Sequence, residues 1–509
     1  MVKLNLARRL DRLPHFEWWL WLGIFCLGLI GTLNHAPWRD EVNGWLIGRD
    51  SVDFADFWRN VRYEGHPLLW YSLLWLLNQL TPNLLAMQLF HLALAMAAIA
   101  IFLRYSPFPR WQKLIFSLGY LPFYEYLLIS RNYALGLLGL FAFCALFPSR
   151  KQTYLPMVFC LAFMANSNAY ALMISVCLAI ALGAEWIWQK PLGVTLQAPW
   201  WDRLVSILFF TAAVALSVVV MVQPGDSTLH GGADQWILQW DWYRLGQALS
   251  RIWNGYITIL VPSDRRPLDL GIFSVFSLIL FAVWSLYFSD YPLILLFYWL
   301  GSGVILLFTY GRFLGAPRHF GSLYLVLIAS YWLKFYLSPT LLLKEKVLSR
   351  AKQWSQKLVP YLFTLILICQ LIGGLVGYGR DLLLPYSASR AVANYLVNQG
   401  LQEATLVGSN DFMASPIAAH LNKKIYYPES QALGSFVIFT AERREVNQQE
   451  ILQQIDQQLG LKLRPPIILI LNSPLEVSQP GLIITPLAEF RHSFIQEEQY
   501  YLYQINRQN

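Results

Sequence analysis

Charge is scarce in this chain. Of 509 residues only 13% are Asp, Glu, Lys or Arg, and 56% are hydrophobic. An average soluble domain is about 25% charged, so most of this chain cannot be a soluble globular fold. Cysteine is also sparse: Cys26, Cys144, Cys160, Cys177 and Cys369 all fall in apolar segments, which implies small buried hydrophobes and no disulfide framework. A Walker sequence or Gly-rich nucleotide loop in a suitable context is missing. So are a Cys/His cluster at zinc spacing, a Gly-x-Ser-x-Gly nucleophile elbow and any internal repeat. These absences argue against chemistry driven by a bound nucleotide, a structural zinc site and the common serine-hydrolase route.

What is there is a series of long apolar runs up to about Gly379, followed by polar sequence. The pattern predicts a polytopic α-helical membrane protein, residues 1–380, with a small C-terminal α/β domain, residues 381–509. The aromatic share of 16% suits Trp and Tyr belts at two membrane surfaces. A net charge of +8 would suggest nucleic acid in a soluble protein. Here the basic residues cluster in short loops, so the excess reads as an orientation signal and no nucleic acid partner is expected.

The first apolar segment follows Lys3, Arg8, Arg9 and Arg12 but has no small-x-small cleavage site, so it reads as an uncleaved first span with a cytoplasmic start. Eleven spans are expected, at residues 18–33, 84–103, 114–129, 133–147, 154–165, 170–188, 204–222, 270–288, 293–309, 321–337 and 359–378. The stretch 67–80 is apolar but short for a span, and counting it as one would put the strongly basic loops outside. It therefore reads as an interfacial piece of an outer loop, 34–83. Only the turn Ser289-Asp290-Tyr291-Pro292 lacks a basic residue among the expected cytoplasmic loops. After Arg380, strands are expected at 404–408, 424–427, 435–439, 466–471 and 482–485, with helices at 414–421 and 448–459. This count puts the domain outside. Gly408-Ser409-Asn410-Asp411 reads as an ordinary polar strand-to-helix loop or, less favoured, an anion site at a helix N-terminus.

Four polar clusters face outward on this topology: Arg39-Asp40-Glu41; Glu64-Gly65-His66-Pro67; Glu125 with Ser130-Arg131-Asn132-Tyr133; and Tyr310-Gly311-Arg312 with Pro317-Arg318-His319. A fifth is Asn166-Ser167-Asn168. Each alone has a plain reading. Asp40 and Glu41 could cap an interfacial helix, Arg131 could snorkel to headgroups, and Arg312, Arg318 and His319 could contact anionic lipid. Together they supply what chemistry on a phosphorylated lipid needs: cations for a leaving phosphate and a carboxylate for the attacking group's proton. Arginine suits the first task because its planar fork can give two parallel hydrogen bonds.

With these motifs in this order the sequence resembles the GT-C glycosyltransferases, most of all the protein O-mannosyltransferases and the bacterial lipid A aminoarabinose transferases. The resemblance rests on the Asp40-Glu41 pair in the first outer loop and on His66-Pro67-Leu68 before an aromatic segment. It also rests on Arg131-Asn132-Tyr133-Ala134-Leu135 and Ala316-Pro317-Arg318-His319-Phe320, with His319 where the family usually has Tyr. It covers roughly residues 15–380 and implies a polyprenyl-phosphate-linked sugar as donor and an inverting single displacement. Asp40 would be the base, Glu41 would orient the acceptor or fix the loop, and Arg131 and Arg318 would hold the phosphate with His66 nearby. Arg39, Glu64, Tyr133, Arg312 and His319 complete the expected substrate-binding set. No cofactor is required; a divalent metal at Asp40 is compatible with the resemblance.

The reading is therefore an enzyme of the plasma (inner) membrane that glycosylates a lipid, glycan or protein acceptor on the extracytoplasmic face. The alternatives are a transporter of lipid-linked sugars and a non-catalytic envelope assembly protein. A transporter would more often place its charges at the bilayer midplane, whereas the acidic residues here lie almost wholly in loops.

Overall fold

The computed structural model describes residues 13–229, 239–261, 266–340, 349–459 and 463–508. The basic residues Lys3, Arg8, Arg9, Arg12, Lys344 and Lys346 and part of the loop after residue 222 lie outside them. Among the described residues, eight helices are long and apolar enough to cross a membrane. The first helix of the described residues is α1 (Phe16–Asn34). The first polar loop then folds as α2 (Arg39–Asp50), α3 (Phe54–Val61) and α4 (Leu68–Asn78). The eleven residues of α4 are too few for a span, in keeping with an interfacial piece.

The bundle continues through α5 (Leu84–Tyr105), α6 (Arg110–Ser117), a π-helical turn at Tyr120–Glu125 and α7 (Tyr133–Leu146), which runs into a 3₁₀ turn at Phe147–Lys151. Next come α8 (Leu155–Ala165), α9 (Ala169–Ile187), the single turn α10 (Gln189–Leu192) and α11 (Trp200–Met221). The last membrane elements are α12 (Trp242–Tyr256), α13 (Pro267–Phe288), α14 (Pro292–Gly311), α15 (Pro317–Phe320), α16 (Ser322–Lys334) and α17 (Ser349–Leu383).

Eight of the eleven expected spans coincide with the long helices; the other three fall on shorter elements. The expected span 154–165 is the eleven-residue α8, and 321–337 is the thirteen-residue α16. The expected span 114–129 is not one helix. It breaks after α6 because Gly119 is extended (φ −69°, ψ 161°) and Pro122 brings no amide donor. The chain then recovers as a π-helical turn, with the Tyr126 amide donating to Leu121 O at 2.9 Å. The broken segment lies against the C-terminal half of α17. A Cβ at Gly374 would come within 2.2 Å of Leu118 O, so this crossing requires glycine.

The ends of the helices define two faces. At one face Arg110 pairs with Glu17 at 3.1 Å, and the turn without a basic residue borrows them from elsewhere: Lys352 pairs with Asp290, and Lys334 stands over the Tyr287 ring at 3.8 Å. Just inside this face the buried pair Arg150–Glu185, at 2.8 Å, ties α9 to the end of α7. At the opposite face lie α2, α3 and the C-terminal domain.

That domain begins with α18 (Ser389–Asn398) and contains α19 (Asp411–Leu421) and α20 (Gln448–Gln458). Its strands are β1 (Thr405–Gly408), β2 (Ile425–Tyr427), β3 (Ala432–Gly434), β4 (Ile467–Leu471), β5 (Leu482–Phe490) and β6 (Tyr500–Arg507). The sheet order is β3-β2-β1-β4-β6-β5, with β2, β1 and β4 parallel and the rest antiparallel. In β4, Ile468 and Ile470 face α18 and α19 while Ile467, Leu469 and Leu471 face α20. This accounts for its unbroken apolar run. The expected strand 435–439 does not form. Its polar backbone and side chains are used against the membrane module instead, with Val437 N donating to Asn43 Oδ1 at 3.0 Å and Thr228 N to Phe439 O at 2.8 Å.

The two faces give a labelling prediction that does not depend on absolute orientation. In a cysteine-free background, single cysteines at Val52 and Ser473 should react with an impermeant maleimide from the same side of a sealed vesicle. One at Ser338 should react only from the other. Labelling of all three from one side would refute the arrangement.

Candidate functional site

The site forms where α1 ends and α2 begins. Trp38 is extended and caps α2, and the Glu41 carboxylate turns back to accept the Trp38 amide at 3.2 Å. The capping reading of Glu41 is therefore correct, but incomplete. The same side chain, 1% exposed, also accepts the Ser130 amide at 2.6 Å and meets His35 Nε2 at 2.9 Å. The other ring nitrogen of His35 meets Asp381 at 2.7 Å, at the end of α17. Burial alone would lower the pKa of His35. The two carboxylates outweigh it and push the value up to about 10, so His35 is an imidazolium between two anions. Arg390 and Gln88 hold its backbone carbonyl.

Asp40 points the other way. Its Oδ2 accepts from Arg131 and, at 3.0 Å, from Arg318. Burial would raise its pKa, but Arg131, Arg318 and then Arg39 hold it below the usual carboxylate range. Both arginines are anchored through their backbones. Arg131 O lies 3.1 Å from His91 Nε2, and Tyr126 OH donates to Arg318 O at 2.7 Å. The Trp38 ring lies 5.5 Å from the Arg318 guanidinium.

The other expected residues divide. Glu64 accepts from Asn43 at 2.8 Å and from Tyr71 at 3.1 Å, one helical turn along α2 from Asp40. Burial, opposed by Tyr71, Arg131 and Asn43, pushes its pKa up to about 7. His66 is driven down to about 3 by burial and by Arg131, so it is neutral beside the arginines. Tyr133 stacks on Tyr126 at 5.6 Å and meets the His319 ring edge-on at 5.7 Å. His319 faces inward, and its Nδ1 accepts the Ala316 amide at 2.8 Å, fixing the turn that presents Arg318. Arg312 closes the end of α14.

Arg39 is turned away from the arginine pair. Its amide and guanidinium both meet Glu498 of the C-terminal domain, at 3.0 and 3.4 Å. The fifth cluster is structural, with Asn168 capping α9 and Leu69 N donating to Asn166 O at 3.2 Å. In the Gly408–Asp411 loop the chain's own carboxylates occupy the helix start. Ser409 bonds Glu429 at 2.5 Å, and Asp411 is held by both forks of Arg443. His35, Asn43, Tyr71, Asp381, Arg390 and Glu498 escape sequence reasoning. Only His35, two residues before Pro37, carries a local signal. A cleft of about 520 Å³ lies between α2–α3 and the sheet, lined by Asp50, Tyr63, Lys424, Tyr427 and Arg443 among others.

The raised pKa of His35 gives a signed pH dependence. Its contribution to stability is full below its unfolded value of about 6.5 and is lost as pH rises through about 10. Relative to His35→Gln, wild-type protein in detergent should therefore show its largest advantage in thermal midpoint near neutral pH and a smaller one above about pH 10. An equal gap across that window would mean His35 is not held as a cation.

No protein-family model matches this sequence, and no curated protein sequence matches it. Among solved structures, ArnT from Cupriavidus metallidurans bound to undecaprenyl phosphate is similar at a TM-score of 0.52 and 13% identity, over 96% of this chain and 98% of that one. A likeness at that identity speaks to fold, and it extends through the membrane bundle and the C-terminal domain together. This chain therefore has the fold of that ArnT structure, with a helical membrane bundle and a small C-terminal sheet domain.

Proposed function

We propose that this protein is an inverting glycosyltransferase that moves a sugar from a polyprenyl-phosphate donor to an acceptor hydroxyl on the extracytoplasmic face of the plasma membrane. The observation that carries the reading is the meeting of Arg131 and Arg318, from two separate span ends, on one oxygen of Asp40. The polyprenyl phosphate bound to the ArnT neighbour supports the choice of donor. The basic loops on the face opposite the site support an outward orientation.

The charges balance through such a reaction. A sugar–phosphate–lipid diester carries one negative charge, and Asp40 carries another against the two guanidinium groups. The acceptor oxygen attacks the anomeric carbon and its proton passes to Asp40. The bond from that carbon to the phosphate oxygen breaks, and the phosphate leaves with a charge of about −2. Two cations then face a dianion and a neutral carboxyl group, so the site stays neutral from start to finish. Preorganised charge of this kind is a large catalytic term, because nothing need reorganise as charge moves. Glu41, tied to His35 and Ser130, positions α2 and hence Asp40. Glu64 and His66, which feel the charges of Arg131 and Asp40, are assigned to the acceptor. Two guanidinium groups beside Asp40 suit a divalent cation poorly, and no step here uses one.

Transfer from a polyprenyl-phosphate sugar by reconstituted protein tests this. Asp40→Asn should lower turnover by about 10²–10⁴-fold, the usual worth of a general base. Arg131→Ala and Arg318→Ala should each lower kcat/KM by tens of fold, since a charged hydrogen bond contributes roughly 1.5–3 kcal/mol. Full turnover in Asp40→Asn would remove its role as base. No transfer by wild type from any such donor would remove the enzyme.

A further inference from the structure

We infer that Asp40 is an internal stand-in for the donor phosphate: it occupies Arg131 and Arg318 until the lipid phosphate displaces it, so that the base is released only once the donor is seated. The inference rests on the donor assignment above and adds an order of events to it, donor before acceptor.

Three features point to displacement rather than a permanent ion pair. First, the arginines are held without Asp40. His91 and Tyr126 fix their backbones and the Arg318 guanidinium lies 5.5 Å from the Trp38 ring, so neither arginine depends on the carboxylate for its place in the fold. Asp40 itself is 21% exposed and sits at the first turn of α2, whose position is maintained by Glu41 and His35 through separate bonds. The side chain can therefore rotate without moving its helix.

Second, the arginines need an anion at all times. Their other charged and titratable neighbours are Arg39, Glu64, Glu125, His66 and His319, with the tyrosines Tyr71, Tyr133, Tyr170 and Tyr386 around them. Arg39 is turned to Glu498, Glu64 accepts from Asn43 and Tyr71, and Glu125 accepts from Tyr120 at 2.8 Å. Both histidines have lowered pKa values. Asp40 is the anion in direct contact with the pair.

Third, the carboxylate under-fills the site. Arg318 Nε and His66 Nδ1 are buried and have no hydrogen-bond partner among the described residues. A buried donor left unmade is costly. A phosphate group presents more oxygens than one carboxylate and can serve Arg318 Nε while both guanidinium ends stay engaged. Once there, its negative charge disfavours ionisation of Asp40 and makes the freed carboxylate a better proton acceptor than it is between the arginines. The group that blocks the donor site thus becomes the base through being displaced.

Displacement has a consequence that a fixed base would not. If the arginines are free in only about 1–10% of unliganded molecules, apparent affinity for the phosphate is reduced by about 10–100-fold, and removing the competitor restores it. Binding of undecaprenyl phosphate to the full chain in nanodiscs, read by native mass spectrometry, should therefore tighten by about tenfold or more in Asp40→Asn and Asp40→Ala, although turnover falls. Equal or weaker binding by both variants, with wild type binding normally, would overturn the inference and leave the donor assignment standing. No binding by wild type would overturn the donor assignment itself. Should the variants fail to fold, a wild-type structure with undecaprenyl phosphate decides: phosphate on both arginines with Asp40 withdrawn supports displacement, and Asp40 still paired with them refutes it.

Discussion

Charge balance at the low-dielectric end of a helix bundle is the constraint on which the rest of this structure depends. Isolated charges there are expensive, and pairing with good geometry is what makes them tolerable. Two residues adjacent in sequence meet this constraint in opposite directions. Glu41 joins Asp381 around the His35 imidazolium, a triad of net charge −1. Asp40 lies between Arg131 and Arg318, a triad of net charge +1. The two triads share the first turn of α2 and together are neutral. One is fully buried and holds position; the other is partly open to solvent and has a donor to spare.

The irregularities of the bundle follow from the need to bring these groups together. A continuous helix through residues 114–129 would not give the break at Gly119 and the π-helical turn that lead into Ser130 and Arg131. The short α15 turns Arg318 toward Asp40, with His319 closing the turn on its own backbone. The long α17 crosses the whole bundle to deliver Asp381 to His35. The C-terminal domain is clamped along α2, through Glu498 on Arg39, Val437 on Asn43 and Ser435 on Asp50. It therefore acts on the geometry of Asp40 as well as walling the cleft at the far end of α2, from Asp50 onward.

Much of this was legible in the sequence because membrane burial writes itself into composition. Apolar runs located the eight long helices, and the shortness of 67–80 separated α4 from them. Polar residues at span ends named Asp40, Arg131 and Arg318 before their contact was visible, since charge at such places is costly enough to require a reason. The alternation of strands and helices after Arg380 announced an α/β domain, though not α18, β3, β6 or the sheet order.

Tertiary structure alone decided how those charges are shared. Nothing local distinguishes Asp40 from Glu41, because which carboxylate meets arginine and which meets histidine depends on the phase of α2 against partners up to hundreds of residues away. Asp381 and Arg390 sit at the junction of bundle and domain, where sequence carries no periodic signal. Arg39 reads as a phosphate ligand from its neighbours and is instead drawn to Glu498. Segment 435–439 has the composition of a strand, but its hydrogen bonds are taken by Asn43 and Asp50. Composition and periodicity determine which groups must be buried or placed at the boundary; long-range geometry determines which partner each of them finds.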